Sequence, residues 1–159
     1  MTESRPYRVL LVCTGNTCRT AMAEPLLRDL LAAAGIEADV RSAGTHALAG
    51  APAHPDARAA AGRVGLDLAG HRAQPLTAEL VRWADVVLGM SRGHVERARL
   101  LDDAAEIRLI TEFDPAGPHE RGVLDPIGYE PEVYEAVLDD IRSCLERFVE
   151  ARASDSREG

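Results

Sequence analysis

The stretch VLLVCTGNTCRTAMAE, residues 9–24, joins an apolar run to a helical pattern through a short polar loop. Residues 9–13 are apolar and largely β-branched or leucine, which predicts a buried strand of a parallel sheet. Leucines then recur at helical spacing until Gly35, a residue type that often ends a helix. The stretch therefore predicts a strand, a loop and a helix in that order.

The same alternation continues along the rest of the chain. Strands are predicted at 38–42, 85–90 and 107–110, and helices at about 55–64, 77–84, 92–101 and 131–152. Strands that alternate with helices indicate an α/β protein with a parallel sheet and helices on both of its faces. A loop rich in proline and glycine is predicted at 112–128. We interpret residues 1–152 as one domain and residues 153–159 as a flexible C-terminal tail.

The composition restricts the partners and the location of the protein. A chain of 159 residues suits one domain, and its formal net charge is −8. Nucleic acids and membrane surfaces are polyanionic, so this charge argues against either as a general partner. No run has the pattern of a signal peptide or the length of a membrane span. We therefore expect a cytoplasmic protein, and nothing in the sequence requires more than a monomer.

The loop CTGNTCR, from Cys13 to Arg19, has residues suited to holding a small anion. Five residues separate the thiol from the guanidinium, which is enough to encircle one phosphate-like group. We expect Gly15 and Asn16 to adopt positive φ, as a tight loop with inward N–H groups requires. The helix predicted from about Thr20 would direct its free N–H groups at the same anion. Arg19 can add two parallel hydrogen bonds to its oxygens.

These positive surroundings favour the thiolate form of Cys13 at neutral pH. A thiolate beneath a bound phosphoryl group is suited to in-line attack, which would give a phosphocysteine intermediate. The hydroxyl of Thr20 can donate a hydrogen bond to the sulfur. A nucleotide-binding loop is excluded, because the Gly-Lys-Ser/Thr ending is missing. The simpler alternative, a buried cysteine and a solvated Arg19, is disfavoured by the complete motif after a hydrophobic strand.

Five blocks of the sequence resemble the low-molecular-weight protein-tyrosine phosphatases and their bacterial protein-arginine phosphatase relatives. In chain order they are VCTGNTCRT at 12–20, RSAGTHA at 41–47, GHRAQPLT at 70–77, ADVVLGMS at 84–91 and VLDPIG at 123–128. The resemblance covers nearly the whole chain. It implies the phosphotyrosine phosphatase I-like fold, which is a Rossmann-like three-layer arrangement around a four-stranded parallel sheet. It also implies phosphorylated proteins as substrates and neither a metal nor another cofactor.

The resemblance also implies roles for individual residues. Cys13 would be the nucleophile, and Arg19 would hold the transition state. The residues that would surround the phosphate are Thr14, Gly15, Asn16, Thr17, Cys18, Arg19 and Thr20. Asn16 would keep the loop in shape through contacts with Ser42 and His71. Members of the family usually have serine and proline after the arginine, but Thr20 keeps the hydroxyl that the chemistry needs.

An acid is also required, because the leaving group needs a proton and the attacking water then needs a base. One carboxylate can perform both tasks. Two Asp-Pro pairs, at Asp114 and Asp125, lie in the long loop, and either could form only a turn. The match of VLDPIG to the acid loop of the family selects Asp125, and Asp114 is the second candidate.

The resemblance also bears on which phosphorylated group is cleaved. The residue after Asn16 is usually aliphatic in tyrosine-directed members and threonine in arginine-directed ones, and here it is Thr17. Tyrosine-directed members usually follow Asp-Pro with an aromatic pair, but this chain has Ile127 and Gly128 and so lacks that stacking wall. Phosphoarginine is therefore the predicted substrate. Tyr129 could still supply an aromatic wall, so a protein-tyrosine phosphatase is the alternative.

Two functions of other classes are weaker candidates. An arsenate reductase would need relay cysteines on a mobile segment, but residues 80–91 contain none and Cys144 lies within the last predicted helix. A non-catalytic phosphate-binding module would need neither Cys13 nor Asp125. The histidines lack the spacing of a metal site. Cys18 is either a small residue in a crowded loop or a thiol that traps oxidised Cys13 as a reversible disulfide.

Overall fold

A parallel sheet lies at the centre of the computed structural model, which describes the backbone of residues 5–158 and the side chains of residues 5–155. Within that range the sheet has four strands in the order β2-β1-β3-β4. The strands are β1 (Tyr7–Cys13), β2 (Ala38–Gly44), β3 (Val86–Gly89) and β4 (Glu106–Leu109). Cys13 pairs with Gly44, and Val12 pairs with Gly89. The carboxyl ends of the first three strands therefore meet at one edge of the sheet.

Alternate side chains of β1 enter two separate cores, one on each face of the sheet. Val9 and Leu11 belong to the first core, whereas Leu10 and Val12 belong to the second. The helices over the first core are α1 (Arg19–Ala33), α2 (Pro55–Arg63) and α5 (Pro131–Glu158), and those over the second are α3 (Ala78–Trp83) and α4 (Arg92–Leu101). A short 3-10 helix, Ile110–Phe113, follows β4. The predicted fold class, with helices on both faces of a parallel sheet, is confirmed.

The largest difference from the predicted elements is at the C-terminus. The last helix runs through Glu158, so its predicted end at Arg152 is wrong. Beyond Arg152, residues 153–158 contain neither proline nor glycine and include Ala153, Arg157 and Glu158, which are good helix formers, so the helix can continue. The segment predicted as a tail is therefore helical to Glu158, and Gly159 lies outside the described residues. The flexibility predicted for 153–159 stays a prediction.

Three segments come together at the carboxyl edge of the sheet. The amides of Thr45 and His46 donate to the carbonyls of Cys13 and Thr14, each at 2.9 Å. A Cβ atom at Gly44 would collide with the carbonyl oxygen of Thr14, so only glycine allows this approach. The block at 70–77 joins the same edge, because residues 74 and 76 exchange backbone hydrogen bonds with Gly44. In parallel sheets, ligands bind beyond this edge.

Among the helices of residues 5–158, none is both long enough and apolar enough to cross a bilayer.

Candidate active site

The loop between β1 and α1 curves into a cup with Cys13 at its base. Asn16 adopts φ of 58°, as predicted. Gly15 does not adopt positive φ, so that part of the prediction is wrong. The reversal of the chain is taken up by Asn16 alone, whose side chain is held by the hydrogen bonds described below. A Cβ at Gly15 would lie 3.5 Å from Oγ1 of Thr17, which is an ordinary contact.

Two donors converge on the buried sulfur of Cys13. The backbone N–H of Asn16 donates to Sγ over 3.3 Å, and Oγ1 of Thr20 lies 2.9 Å from Sγ. Thr20 Oγ1 itself accepts a hydrogen bond from Nδ2 of Asn16 at 2.8 Å, and toward a thiolate, which has no hydrogen to give, the Thr20 hydroxyl is the donor. The start of α1 at Arg19 adds the unpaired N–H groups of a helix N-terminus. These groups stabilise a negative charge on Sγ.

The side chain of Asn16 is the centre of a buried hydrogen-bond network. Its Nδ2 also donates to Oγ of Ser42 at 2.9 Å, and that hydroxyl donates to Oε1 of Glu24 at 2.8 Å. Oδ1 of Asn16 accepts the backbone N–H of Gln74 at 2.9 Å. Nε2 of His71 lies 2.6 Å from the carbonyl oxygen of Asn16. Asn16 therefore contacts both Ser42 and His71, whereas the parts played by Glu24 and Gln74 were not predicted.

Arg19 links the cup to the loop that carries Asp125. Its side chain is 6% exposed, and Nη1 donates to the carbonyl oxygen of Val123 at 3.0 Å. Nη2 lies 3.7 Å from Oδ2 of Asp125, whose side chain is 45% exposed. Oδ1 of Asp125 accepts the N–H of Ile127 at 3.1 Å, which orients the carboxylate. One carboxylate oxygen thus lies beside the guanidinium and is open to a ligand.

The segment before Asp125 is fixed to the end of β3. The N–H of Val123 donates to the carbonyl of Met90 at 2.7 Å. Gly122 has φ of +75°, and a Cβ there would lie 2.7 Å from the same carbonyl oxygen. A side chain at this position would be strained and would push the loop away. Gly122 therefore allows the contact that holds Val123, and with it Asp125, against Arg19.

The other aspartate lies in a separate turn. Oδ1 of Asp114 accepts the N–H of Ala116 at 2.9 Å, and Oδ2 lies 2.8 Å from Nε2 of His119. The backbone hydrogen bond from Ala116, followed by the hydrogen bond from His119, lowers the pKa of Asp114. The structure thus brings Asp125, and not Asp114, to the guanidinium of Arg19.

His94, which was not predicted, contacts the cup from the start of α4. It is 6% exposed, and its Nε2 lies 2.9 Å from Oγ1 of Thr14. Burial, and next the positive charge of Arg19, lower the pKa of His94 to about 4, so the ring is neutral at pH 7. Its partner is 80 residues away in the sequence. The only local signal is the N-capping pattern that begins at Ser91.

The remaining predicted residues lie on the loop after Cys13 and on the loop of Asp125; those that are not buried, Thr17, Ile127 and Tyr129, are called the rim of the cup. Thr17 is half-buried, and its carbonyl accepts the N–H of His54 at 2.9 Å. Cys18 is buried, and burial raises the pKa of its thiol to about 11. Ile127 and Tyr129 are both more than half exposed on the loop of Asp125. The rim is therefore the part of the site where the chain can vary without disturbing the core.

A metal site or a thiol relay has no support in the geometry. Among residues whose side chains are described, no group of three or more His, Cys, Asp or Glu is arranged to hold a metal ion. Cys144 is buried within α5, where it belongs to the first core. The arrangement can bind a dianion and attack it with sulfur, which is chemistry that needs no further group.

The fold and the site together are those of a phosphatase. A parallel α/β sheet holds a cysteine, an anion-binding loop, an arginine and an aspartate at one edge. The chain belongs to the family of the low molecular weight phosphotyrosine protein phosphatases, whose model matches residues 8–157. The resemblance found in the sequence is thereby confirmed, and the protein is a hydrolase of the protein phosphatase class.

Relatives act on two kinds of phosphorylated residue. The protein-arginine-phosphatase of Geobacillus stearothermophilus is 35% identical over 145 residues, which cover 91% of this chain and 95% of that protein. The low molecular weight protein-tyrosine-phosphatase Etp of Escherichia coli K12 is 35% identical over 137 residues, with 86% and 88% covered. A Cys-to-Ser variant of the YwlE arginine phosphatase with a phosphorylated active-site serine has a TM-score of 0.83 at 30% identity, with 94% and 98% covered. Arsenate reduction gains no support from these relatives.

Proposed function

We propose that this protein hydrolyses phosphoarginine on proteins through a phosphocysteine intermediate, as a cytoplasmic monomer. The observation that carries the proposal is the grouping of Cys13, Arg19 and Asp125 around a cup whose rim residue is Thr17. Cys13, Cys18 and Cys144 are free thiols, which suits the reducing cytoplasm. The net charge of −8 makes separate copies repel one another, which supports the monomer.

In the first step, the thiolate of Cys13 attacks phosphorus and the bond from phosphorus to the leaving nitrogen breaks. Asp125 gives its proton to that nitrogen, so arginine leaves with an intact guanidinium group. Arg19 and the N–H groups of the loop hold the phosphoryl oxygens, where charge is spread in the transition state. A sulfur–phosphorus bond has then formed, and Asp125 is ionised.

In the second step, Asp125 takes a proton from a water molecule whose oxygen attacks phosphorus. The sulfur–phosphorus bond breaks, inorganic phosphate leaves, and Cys13 returns as a thiolate. The hydroxyl of Thr20, which points to Sγ, donates to the departing sulfur. The phosphorylated serine in the YwlE variant supports a covalent intermediate at the corresponding point of that enzyme.

The rim favours phosphoarginine over phosphotyrosine. Thr17 is a polar, half-buried side chain at the mouth of the cup, so it offers a hydrogen-bonding group where an aliphatic residue would contact a phenyl ring. The exposed carboxyl group of Asp125 can accept a hydrogen bond from the guanidinium through its carbonyl oxygen and give its proton to the leaving nitrogen from its other oxygen. Tyr129 is the observation that favours the alternative, a protein-tyrosine phosphatase, because it is an exposed aromatic ring on the same loop.

A direct comparison of substrates tests the proposal. We expect kcat/KM to be higher for a phosphoarginine peptide than for a phosphotyrosine peptide of otherwise identical sequence, both followed by phosphate release. Faster cleavage of phosphotyrosine would contradict the proposed preference. Thr17→Ile should shift the ratio of the two kcat/KM values at least about tenfold toward phosphotyrosine, because the hydroxyl is replaced by apolar surface. Turnover of p-nitrophenyl phosphate is the control, because its rate measures phosphoryl transfer in the cup and depends little on the rim residues.

We also propose that Cys18 protects Cys13 from irreversible oxidation. Peroxide would convert the thiolate of Cys13 to a sulfenic acid, and the thiol of Cys18 would displace water from it to form a disulfide. The two sulfurs differ in reactivity, because buried Cys18 has its pKa raised to about 11 and stays protonated. Cys13 is therefore the sulfur that peroxide oxidises first.

Peroxide treatment followed by reductant tests the role of Cys18. The unaltered protein should form a Cys13–Cys18 disulfide, visible in a non-reducing peptide map, and should recover activity with dithiothreitol. Cys18→Ala should lose activity irreversibly under the same treatment. If no such disulfide forms and the variant recovers equally well, Cys18 is only a small residue that fits the loop.

A further inference from the structure

We propose that His94 is a positioning residue for the anion-binding cup, acting through the hydroxyl of Thr14. The neutral imidazole donates to Oγ1 of Thr14 and leaves the hydroxyl hydrogen free for an oxygen of the bound phosphoryl group. This inference rests on the proposed function, because it gives Thr14 a ligand that the phosphatase reaction supplies. None of the five sequence blocks includes His94. The start of α4 places it beside Thr14.

The direction of the contact follows from the other ring nitrogen. The backbone N–H of Ser91 donates to Nδ1 of His94 at 3.1 Å, so Nδ1 carries no hydrogen. The hydrogen of a neutral ring must then be on Nε2, which lies 2.9 Å from Oγ1 of Thr14. His94 is therefore the donor and Thr14 the acceptor. One lone pair of Oγ1 is occupied, and its hydrogen must find an acceptor elsewhere.

The charges around His94 keep the ring neutral. Arg19 and, to a smaller extent, His46 oppose a positive charge on it, and Asp125 is the anion that favours one. Burial and Arg19 together outweigh Asp125, so the pKa of the ring is far below neutrality. Protonation would also place a hydrogen on Nδ1, opposite the N–H of Ser91. The donor to Thr14 is thus the same throughout the neutral pH range.

His94 is rigid, whereas the hydroxyl of Thr14 would otherwise rotate freely. The ring is buried at the first turn of α4, and its Nδ1 also lies 2.9 Å from Oγ of Ser91. Thr14 is exposed at the cup, with its carbonyl held by the N–H of His46. The contact with His94 holds the side chain as well. A donor that is oriented before the phosphoryl group arrives stabilises developing charge without a cost of reorganisation.

Two substitutions separate this role from the capping of α4. His94→Gln can still reach Thr14 with an N–H but gives up the acceptor for Ser91. His94→Asn keeps an acceptor near Ser91 but is too short to reach Thr14. We expect His94→Asn to lower kcat/KM for p-nitrophenyl phosphate and to raise the inhibition constant of inorganic phosphate, each about tenfold. His94→Gln should keep more than half of the unaltered kcat/KM. The opposite order would show a capping role and overturn the proposal.

Combining His94→Asn with a substitution of Thr14 shows whether the effect of His94 on kcat/KM depends on the hydroxyl of Thr14. In Thr14→Val, which removes the hydroxyl at nearly constant shape, His94→Asn should change kcat/KM less than twofold. An undiminished tenfold loss in that background would contradict the proposal.

Thermal unfolding of each variant identifies any that fail to fold, and the comparison of Thr14→Ser with Thr14→Val then still tests the hydroxyl. If the unaltered protein hydrolyses no phosphorylated compound, the proposed function fails; if it is active but shows no coupling between Thr14 and His94, only this inference fails.

Discussion

Replacing Cys13 by serine should lower kcat roughly 10⁴-fold or more, because the hydroxyl is not ionised at neutral pH and is a poor leaving group. The side chains around Sγ remain in this variant, so the cup should still bind inorganic phosphate. Any phosphoryl group that is transferred should stay on the serine. Mass spectrometry of the intact protein after incubation with substrate would detect it.

Cys144→Ala is the matched control for this experiment. Its thiol is as buried as that of Cys13 but lies in the core beneath α5. We expect this variant to lose some stability, as is typical of truncation in a core, and to keep kcat. A Cys13→Ser protein that hydrolyses phosphoarginine or p-nitrophenyl phosphate at the unaltered rate would contradict nucleophilic catalysis by this residue.

Replacing Asp125 by asparagine should lower kcat for a phosphoarginine peptide by about 10²–10⁴-fold, because the leaving nitrogen then receives no proton. The amide oxygen of asparagine can still accept the N–H of Ile127, so the loop should keep its shape. The loss should be smaller for p-nitrophenyl phosphate, since p-nitrophenolate leaves without a proton. The ratio of the two losses therefore measures acid catalysis itself, apart from a change in binding.

Asp114→Asn is the control for Asp125, because it also replaces the aspartate of an Asp-Pro pair. Asp114 belongs to a turn with His119 and Ala116, away from Arg19. Its substitution should leave kcat within about twofold on both substrates. Equal losses for Asp114→Asn and Asp125→Asn would mean that the loop, rather than one carboxylate, governs the rate.

The sequence predicted the parts of the site that are contiguous. Strand β1, the loop from Cys13 and the start of α1 are all predicted by one stretch of sequence, because its residue types have local conformational preferences. The exception is Gly15, because the loop needs one residue with positive φ and the side chain of Asn16 is bonded so that it takes this position. The choice of Asp125 over Asp114 depended on resemblance, since both have the same local pattern.

The contacts between distant segments could not be predicted from local patterns. His94 and Thr14 are 80 residues apart in the sequence and belong to no common motif. They come into contact because α4 follows β3, the strand that lies beside β1. Gln74 contacts Asn16 through its backbone N–H, so its side-chain type carries no signal of that bond. The predicted helix end at Arg152 was wrong for a different reason. Residues that favour a helix continue beyond the last apolar position, and a prediction from amphipathic spacing alone does not take them into account.

The outer residues of this site can be exchanged at little cost to folding. Asn16 and Thr20 are fully buried, and their side chains are held by hydrogen bonds to one another and to their neighbours, whereas the side chains of Thr17 and Ile127 lie outside that network. Exchanges at these two outer positions leave each buried donor and acceptor paired, so they avoid the penalty of an unsatisfied polar group. Under the roles proposed for Thr17 and Ile127, the preference between phosphorus–nitrogen and phosphorus–oxygen substrates can therefore change while the buried residues that carry out the attack stay the same.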